Sequence, residues 1–300
     1  MKLIFLSYIN RSGSSFLSQK LSEYEEIIVF PEGDALIDYF LLNDKITKKN
    51  IATKISQLLK TDIKLKQWQF SEDDINKISE QPDKKQVFFS ILKTFQQKNK
   101  KNAKYFFFKK RDAFVKINDL KKILPQVTFN LICLFRDPRA IFYSQKISID
   151  PYKNKPFNIN PLITAYYWQF FIEHSSCKKS IHILYEDFIK NTETSLKKIF
   201  SKLDILLSEK KENKNTYFDF LSTGYKRLHK DITKKQKQNS REKWKEGLTD
   251  TEIILIENEC NNYMLNFGYK LVSSHKKQTA NILFQKIYFK FRIFFKIDWY

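Results

Sequence analysis

The chain has 300 residues and carries 54 Lys or Arg against 33 Asp or Glu, a formal net charge of +21. Hydrophobic residues make up 42% and aromatic residues 16%, enough to fill a sizeable core, so long disorder is not expected. No run of 18 uncharged apolar residues occurs and the apolar run 3–6 is too short for a signal peptide, so neither a membrane-spanning helix nor export is expected.

Cys133, Cys177 and Cys260 show no CxxC or metal-type spacing and read as buried free thiols, which fits a reducing, cytoplasmic setting. His174, His182, His229 and His275 have no ligand spacing or paired acid, so no chemistry is assigned to them and no metal is expected. The positive charge attracts polyanions in general and selects none of them.

In chain order, residues 2–7 (KLIFLS) form a short apolar run ended by polar residues and glycine, the pattern of a buried parallel strand. A helix follows over 14–23, with Phe16, Leu17 and Leu21 at helical spacing. A second strand over 27–30 stops at Pro31 and Gly33, completing a βαβ unit. Residues 35–100 read as a largely helical insertion. A strand over 105–108 and a helix around 119–124 lead into 129–135 (FNLICLF), the strongest central-strand signal, which continues as a helix over 136–145. A helix over 161–175, a strand over 181–185 and a helix over 194–203 come next. Residues 226–245 hold nine Lys or Arg against Asp231 and Glu242, with little apolar periodicity, and read as a basic loop. A helix over 250–267 is closed by Gly268 as its C-cap. The alternation predicts an α/β fold of three layers: a central, mainly parallel sheet flanked by helices, with ligands at the strands' C-terminal ends. One domain is expected over 1–272, followed by a basic, aromatic and helical tail over 273–300.

The loop after the first strand suits a phosphate. Gly13 permits a tight turn, and the next helix offers unpaired N–H groups and the positive end of its dipole. Ser12, Ser14 and Ser15 add hydroxyls, and Arg11 adds a planar cationic fork. It is not a Walker A loop, because no pair of the chain's five glycines has that spacing before Lys-Ser/Thr. A P-loop NTPase or kinase is therefore disfavoured.

Residues 11–17 (RSGSSFL) resemble the phosphosulfate-binding loop of sulfotransferases that use PAPS (3′-phosphoadenosine 5′-phosphosulfate). They look closest to carbohydrate 6-O-sulfotransferases and their bacterial relatives. An independent segment, 134–140 (LFRDPRA) with Ser144, resembles that family's 3′-phosphate site, where an Arg at a strand end and a Ser two helical turns later hold the phosphate. Weaker likenesses are Tyr185-Glu186-Asp187-Phe188, a strand-ending segment whose Tyr lies near the adenine, and the C-terminal pattern from Lys243-Trp244 to Tyr269. Residues 40–100 match no family pattern, and no glycine-containing adenine loop is evident in 226–245.

The resemblance implies a P-loop-like fold and transfer of a sulfuryl group from PAPS to a hydroxyl, with no metal. It implies that Arg11 is catalytic, that Arg11, Ser12, Gly13, Ser14, Ser15 and Phe16 bind the phosphosulfate, that Arg136 and Ser144 bind the 3′-phosphate, and that Tyr185 lies by the adenine. Arg139 assists them or is a surface residue. Glu32, in the turn after the second strand, is the candidate general base, with Asp34 as the alternative. Lys110 or Arg111 resembles the position of a second cation in tyrosylprotein enzymes, against which stands plain surface charge. The expected acceptor is a carbohydrate or lipid-linked glycan, reached across the 35–100 insertion. Protein tyrosine, a small molecule, or a non-catalytic binder of adenosine 3′,5′-bisphosphate or another polyanion are the alternatives. The 226–245 loop would fold over the nucleotide. The tail from 276 suits either docking on an anionic membrane or packing on the domain or a second copy. Base-reading signatures for nucleic acid are missing.

Overall fold

The computed structural model describes residues 2–175, 180–207, 216–230, 232 and 242–273. The tail over 274–300, Cys177, His275 and most of the basic stretch between 231 and 241 lie outside the described residues.

Short runs of Ile, Leu, Val and Phe that are apolar on both faces make the strands, because a parallel sheet is covered on both sides. The first is β1 (Lys2–Tyr8), followed by helix α1 (Ser14–Ser22) and strand β2 (Ile27–Phe30). The insertion is helical as expected: a π-helical turn Leu36–Leu41, α2 (Ile51–Thr61), a 3-10 turn Leu65–Trp68, α3 (Glu72–Ser79) and α4 (Lys84–Asn99). Then come β3 (Tyr105–Lys109), α5 (Ala113–Ile123), β4 (Thr128–Phe135) and α6 (Pro138–Ile147). A small antiparallel pair, β5 (Ile149–Asp150) and β6 (Lys155–Pro156), precedes α7 (Pro161–Ser175) and β7 (Ser180–Leu184). The described chain closes with α8 (Tyr185–Lys190), α9 (Thr192–Lys202), α10 (Thr223–Leu228), α11 (Trp244–Gly247) and α12 (Asp250–Asn266).

The five long strands are parallel, in the order β2-β3-β1-β4-β7. β1 sits in the middle, paired to β3 from Lys2↔Tyr105 to Leu6↔Lys109 and to β4 from Lys2↔Thr128 to Tyr8↔Leu134. Loops leaving β1, β3 and β4 therefore emerge side by side at one edge. Alternate residues face opposite layers. Leu3, Phe5, Phe106 and Phe108 pack toward the insertion, α5, α6, α7 and α12, while Ile4, Leu6, Phe107 and Leu134 pack toward α1, α8 and α9. The insertion belongs to the core. Trp68, 1% exposed, stacks on Phe30 with ring centroids 5.3 Å apart.

Several elements differ from the sequence reading, among them α10 and α11, which make both ends of the 226–245 stretch helical rather than loop. Helix α5 begins at Ala113 rather than around 119, because Ala113, Ile117 and Leu120 already form a buried stripe at helical spacing. Strand β7 stops at Leu184, and Tyr185-Glu186-Asp187-Phe188 is the start of a helix whose early carboxylates suit its dipole. The β5–β6 hairpin has runs too short to register as strands. Gly268 closes α12 with φ 78° and donates its N–H to the Leu265 carbonyl (2.9 Å), as its position implies.

Lys100, 4% exposed, binds three carbonyls at the turn between α1 and β2: Ser22 (2.6 Å), Tyr24 (2.7 Å) and Ile27 (3.0 Å). Burial lowers its pKa to about 8, so it is still charged at neutral pH. Lys100→Met leaves these acceptors unpaired and is expected to lower unfolding free energy by about 2–3 kcal/mol, read by urea denaturation at pH 7.

Candidate active site

The β1–α1 loop is built by two left-handed residues, Arg11 (φ 73°) and Gly13 (φ 98°). Position 13 requires glycine twice over: for its φ, and because a Cβ there would lie 2.3 Å from the Tyr185 ring. Helix α1 starts at Ser14 with no side-chain cap, and the amides of Gly13, Ser14 and Ser15 have no backbone acceptor. The Ser12 hydroxyl is buried and, among the described residues, also without a hydrogen-bond partner. Free donors at the positive end of a helix are a ready anion site.

Strand β4 delivers a second cation to the same place. Asp137 caps α6 by accepting the Arg139 N–H (2.9 Å), and Pro138 starts the helix, which carries Ser144. Arg136 Nη1 donates to the Arg11 carbonyl (2.8 Å), and Arg11 Nε donates to Ser144 Oγ (3.1 Å). The Arg136 guanidinium lies 4.6 Å from the centre of the Tyr185 ring, and Trp168 Nε1 holds its carbonyl (2.9 Å). Arg136 Nε is buried without a partner. Burial first, and then the neighbouring Arg136, lower the pKa of Arg11 to about 10. Two adjacent, partly buried guanidinium groups with spare donors call for an anion between them. Arg139 is neither on the surface nor in this pair. It is buried, bound to Asp137 and Glu257, and lies 3.9 Å from the centre of the Trp244 ring.

On the other side of the loop stands Glu32. Its Oε1 accepts from Tyr8 Oη (3.0 Å) and Lys109 Nζ (3.0 Å), and its Oε2 pairs with Lys64 Nζ (2.8 Å). Burial works to raise its pKa, but Lys109 and Lys64 prevail and hold it far below the usual carboxylate range. Lys109 is 2% exposed and also donates to Tyr217 Oη (2.9 Å) and Ser15 Oγ (3.4 Å). Asp34 lies 3.6 Å from Lys64 and 3.7 Å from Lys110, with its pKa raised by burial. Lys110, fully buried, is held by Asp38 and Asp112, each at 2.7 Å. Asp34, Asp38 and Asp112 lie close enough together to share a cation, and the cation they share is this ammonium. The expectation that Lys110 is surface charge is thus corrected. Strand alternation puts Lys109 and Lys110 on opposite faces, and both are buried.

Glu32, Lys64 and Lys109 line, with the loop and the Arg136 side, a cavity of about 450 Å³ at the strands' C-terminal edge. It brings together Arg11, Gly13, Ser14, Ser15, Phe16, Glu32, Arg136, Ser144 and Tyr185, with Ser12 buried behind the loop. Sequence reasoning missed Lys64, Lys109 and His229 on its wall, and Tyr217 behind them. Period-2 alternation was the available signal for Lys109, while Lys64 and Tyr217 arrive from segments with no motif. A ring nitrogen of His229 lies 3.3 Å from Ser15 Oγ, and burial, then Arg11 and Lys109, push its pKa down to about 3. Tyr152, hydrogen-bonded by Gln67 of the insertion, packs against Tyr225 with ring centroids 5.1 Å apart.

A parallel α/β sheet with anion-binding loops at its C-terminal edge defines a class of nucleotide-dependent transferase folds. A profile described as the sulfotransferase family matches residues 4–209, and the chain belongs to that family, whose members use PAPS as co-substrate. The fold is similar to that of the sulfotransferase domain from the Synechococcus PCC 7002 olefin synthase, at 15% identity and a TM-score of 0.57. That match covers 90% of this chain and 96% of the other. A second similar structure is the sulfotransferase domain from the curacin biosynthetic pathway, at 13% identity and TM-score 0.56, covering 90% and 98%. A comparison with curated proteins finds no match. Among the described residues no helix is long and apolar enough to cross a membrane.

His229 supplies a test of the cavity's field. Its unfolded pKa lies near 6.5 and its folded value near 3, so between these the unfolded chain binds the extra proton. Stability should fall as pH drops from 6.5 toward 3, by at most about 1.4 kcal/mol per pH unit from this group. His229→Gln should flatten that part of the profile, measured by urea unfolding at pH 7, 6 and 5.

Proposed function

We propose that this sulfotransferase binds PAPS with its 3′-phosphate between Arg136 and Ser144 and its phosphosulfate on the 11–16 loop. The observation that carries the reading is the contact of the Arg136 guanidinium with the Arg11 loop, which joins two anion sites into one. The unspent donors fit such a ligand: Arg136 Nε, Ser12 Oγ and the amides of 13–15. Tyr185 lies beside both groups and sets their spacing.

In the reaction the acceptor oxygen forms a bond to sulfur while the bond from sulfur to the 5′-phosphate oxygen breaks. Negative charge grows on that leaving oxygen, where Arg11, Lys109 and the loop amides stabilise it. The acceptor proton passes to Glu32. A carboxylate held at low pKa is a weak base, yet it is ionised at every physiological pH, and the hydroxyl becomes acidic as its oxygen bonds to sulfur. A second reading gives the proton to His229, whose ring nitrogen also faces the phosphate loop.

The acceptor is proposed to be a hydroxyl of a carbohydrate or lipid-linked glycan. Tyr143, Tyr152, Phe157 and Tyr225 offer flat apolar faces around the cavity, which suit a ring-shaped acceptor. The similar domains named for an olefin synthase and for curacin biosynthesis keep non-carbohydrate hydroxyls as the alternative. A cytoplasmic site of action, with the basic aromatic 276–300 segment touching an anionic membrane, fits a lipid-linked acceptor.

Adenosine 3′,5′-bisphosphate should bind roughly 100-fold tighter than AMP by calorimetry, and Arg136→Gln should remove most of that difference. Equal affinity for the two nucleotides in the unaltered protein would refute the donor assignment. Glu32→Gln should lower kcat by roughly 100-fold or more while adenosine 3′,5′-bisphosphate still binds. Retained turnover in Glu32→Gln together with its loss in His229→Gln transfers the base role to His229.

A further inference from the structure

Arg111 lies two residues beyond β3, and its backbone is fixed by Ser7 Oγ, which donates to its carbonyl at 2.6 Å. The side chain is exposed and lines the cavity on the side of Glu32 and Asp34. Among the described residues its guanidinium makes no hydrogen bond or ion pair, although the carboxylates of Asp34, Glu32 and Asp112 stand nearby. The reason is that lysines already occupy them. Glu32 is held by Lys64 and Lys109, and Asp34, Asp38 and Asp112 converge on Lys110. Desolvation at the cavity wall works against the charge of Arg111, but Asp34, then Tyr8, Glu32 and Asp112 outweigh it and keep the group protonated.

A permanently charged, planar fork with all its donors unspent is suited to a carboxylate or phosphate. The donor nucleotide's anions have their own partners in Arg11, Arg136 and the loop amides on the other side of β1. A further anion at Arg111 therefore has to arrive with the second substrate. We propose that Arg111 receives an anionic group of the acceptor, so that the preferred acceptor carries a carboxylate or phosphate close to the hydroxyl that is sulfated. This rests on the reading of the cavity as the sulfotransferase active site with Glu32 as its base. It narrows the acceptor from any hydroxyl compound to an acidic one.

The test uses the full chain with PAPS and three acceptors: methyl β-glucuronide, glucose 1-phosphate and methyl β-glucoside. At least one charged acceptor should be sulfated with kcat/KM roughly 10- to 100-fold above the neutral glucoside. Arg111→Met should bring that ratio close to one, and Arg111→Lys should keep part of it. Which charged sugar is preferred separates carboxylate from phosphate. Equal losses on charged and neutral acceptors in Arg111→Met would overturn the proposal, because a structural role or a contact to the sulfuryl group acts on all acceptors alike. Failure to sulfate either charged sugar, with adenosine 3′,5′-bisphosphate bound normally, would also overturn it. Failure to bind that nucleotide would instead sink the donor assignment, so the two failures are distinguishable.

Discussion

The site depends on one hydrogen bond between neighbouring strand ends, from the Arg136 guanidinium to the Arg11 carbonyl. Because β1 and β4 pair directly, the residues that follow them cannot separate, and two cationic side chains are forced into one partly buried space. Like charges at that distance repel, the more so away from water. The protein offsets the repulsion without neutralising it: Tyr185 presents its ring to Arg136, Ser144 accepts from Arg11, and the Trp168 indole fixes the Arg136 backbone. Charge and donors are left over at the cavity wall.

A second constraint is the end of β3, where two lysines in succession face opposite layers. Lys109 points to the catalytic side and joins Glu32 to Tyr217, while Lys110 points to the insertion and gathers three aspartates. One set faces the cavity and the other anchors the adjoining layer. A buried ion pair is costly to break, since the surviving charge is stranded. Both sets therefore pin the turn after β2, which carries Glu32 and Asp34, from either face of the sheet.

The fold was largely legible because its signals are local. Apolar runs such as 129–135 mark strands buried on both faces, and the glycine at 13 and the Arg-Asp-Pro turn at 136–138 punctuate them. The residues expected on the donor side come together for the same reason: they lie in the turns after β1, β4 and β7 or on the helices those turns begin, where position in the sequence dictates position in space. Lys64, Tyr217 and His229 were not legible, since they reach the cavity from an insertion and a late loop whose docking depends on tertiary packing. Arg139 illustrates the opposite error. Its place beside a phosphate motif suggested a ligand contact or a surface charge, whereas the buried carboxylate of Glu257, more than a hundred residues later, claims it.

Lys64 reaches Glu32 from the 35–100 insertion, at 2.8 Å from its Oε2. A segment outside the sheet thereby helps set the electrostatic environment of a carboxylate on the cavity wall. Under the proposed role of Glu32, exchanging this segment between relatives would retune its basicity along with the shape of the cavity. Diversification of acceptor range on this scaffold would proceed most freely through insertions that retain an amine at that point.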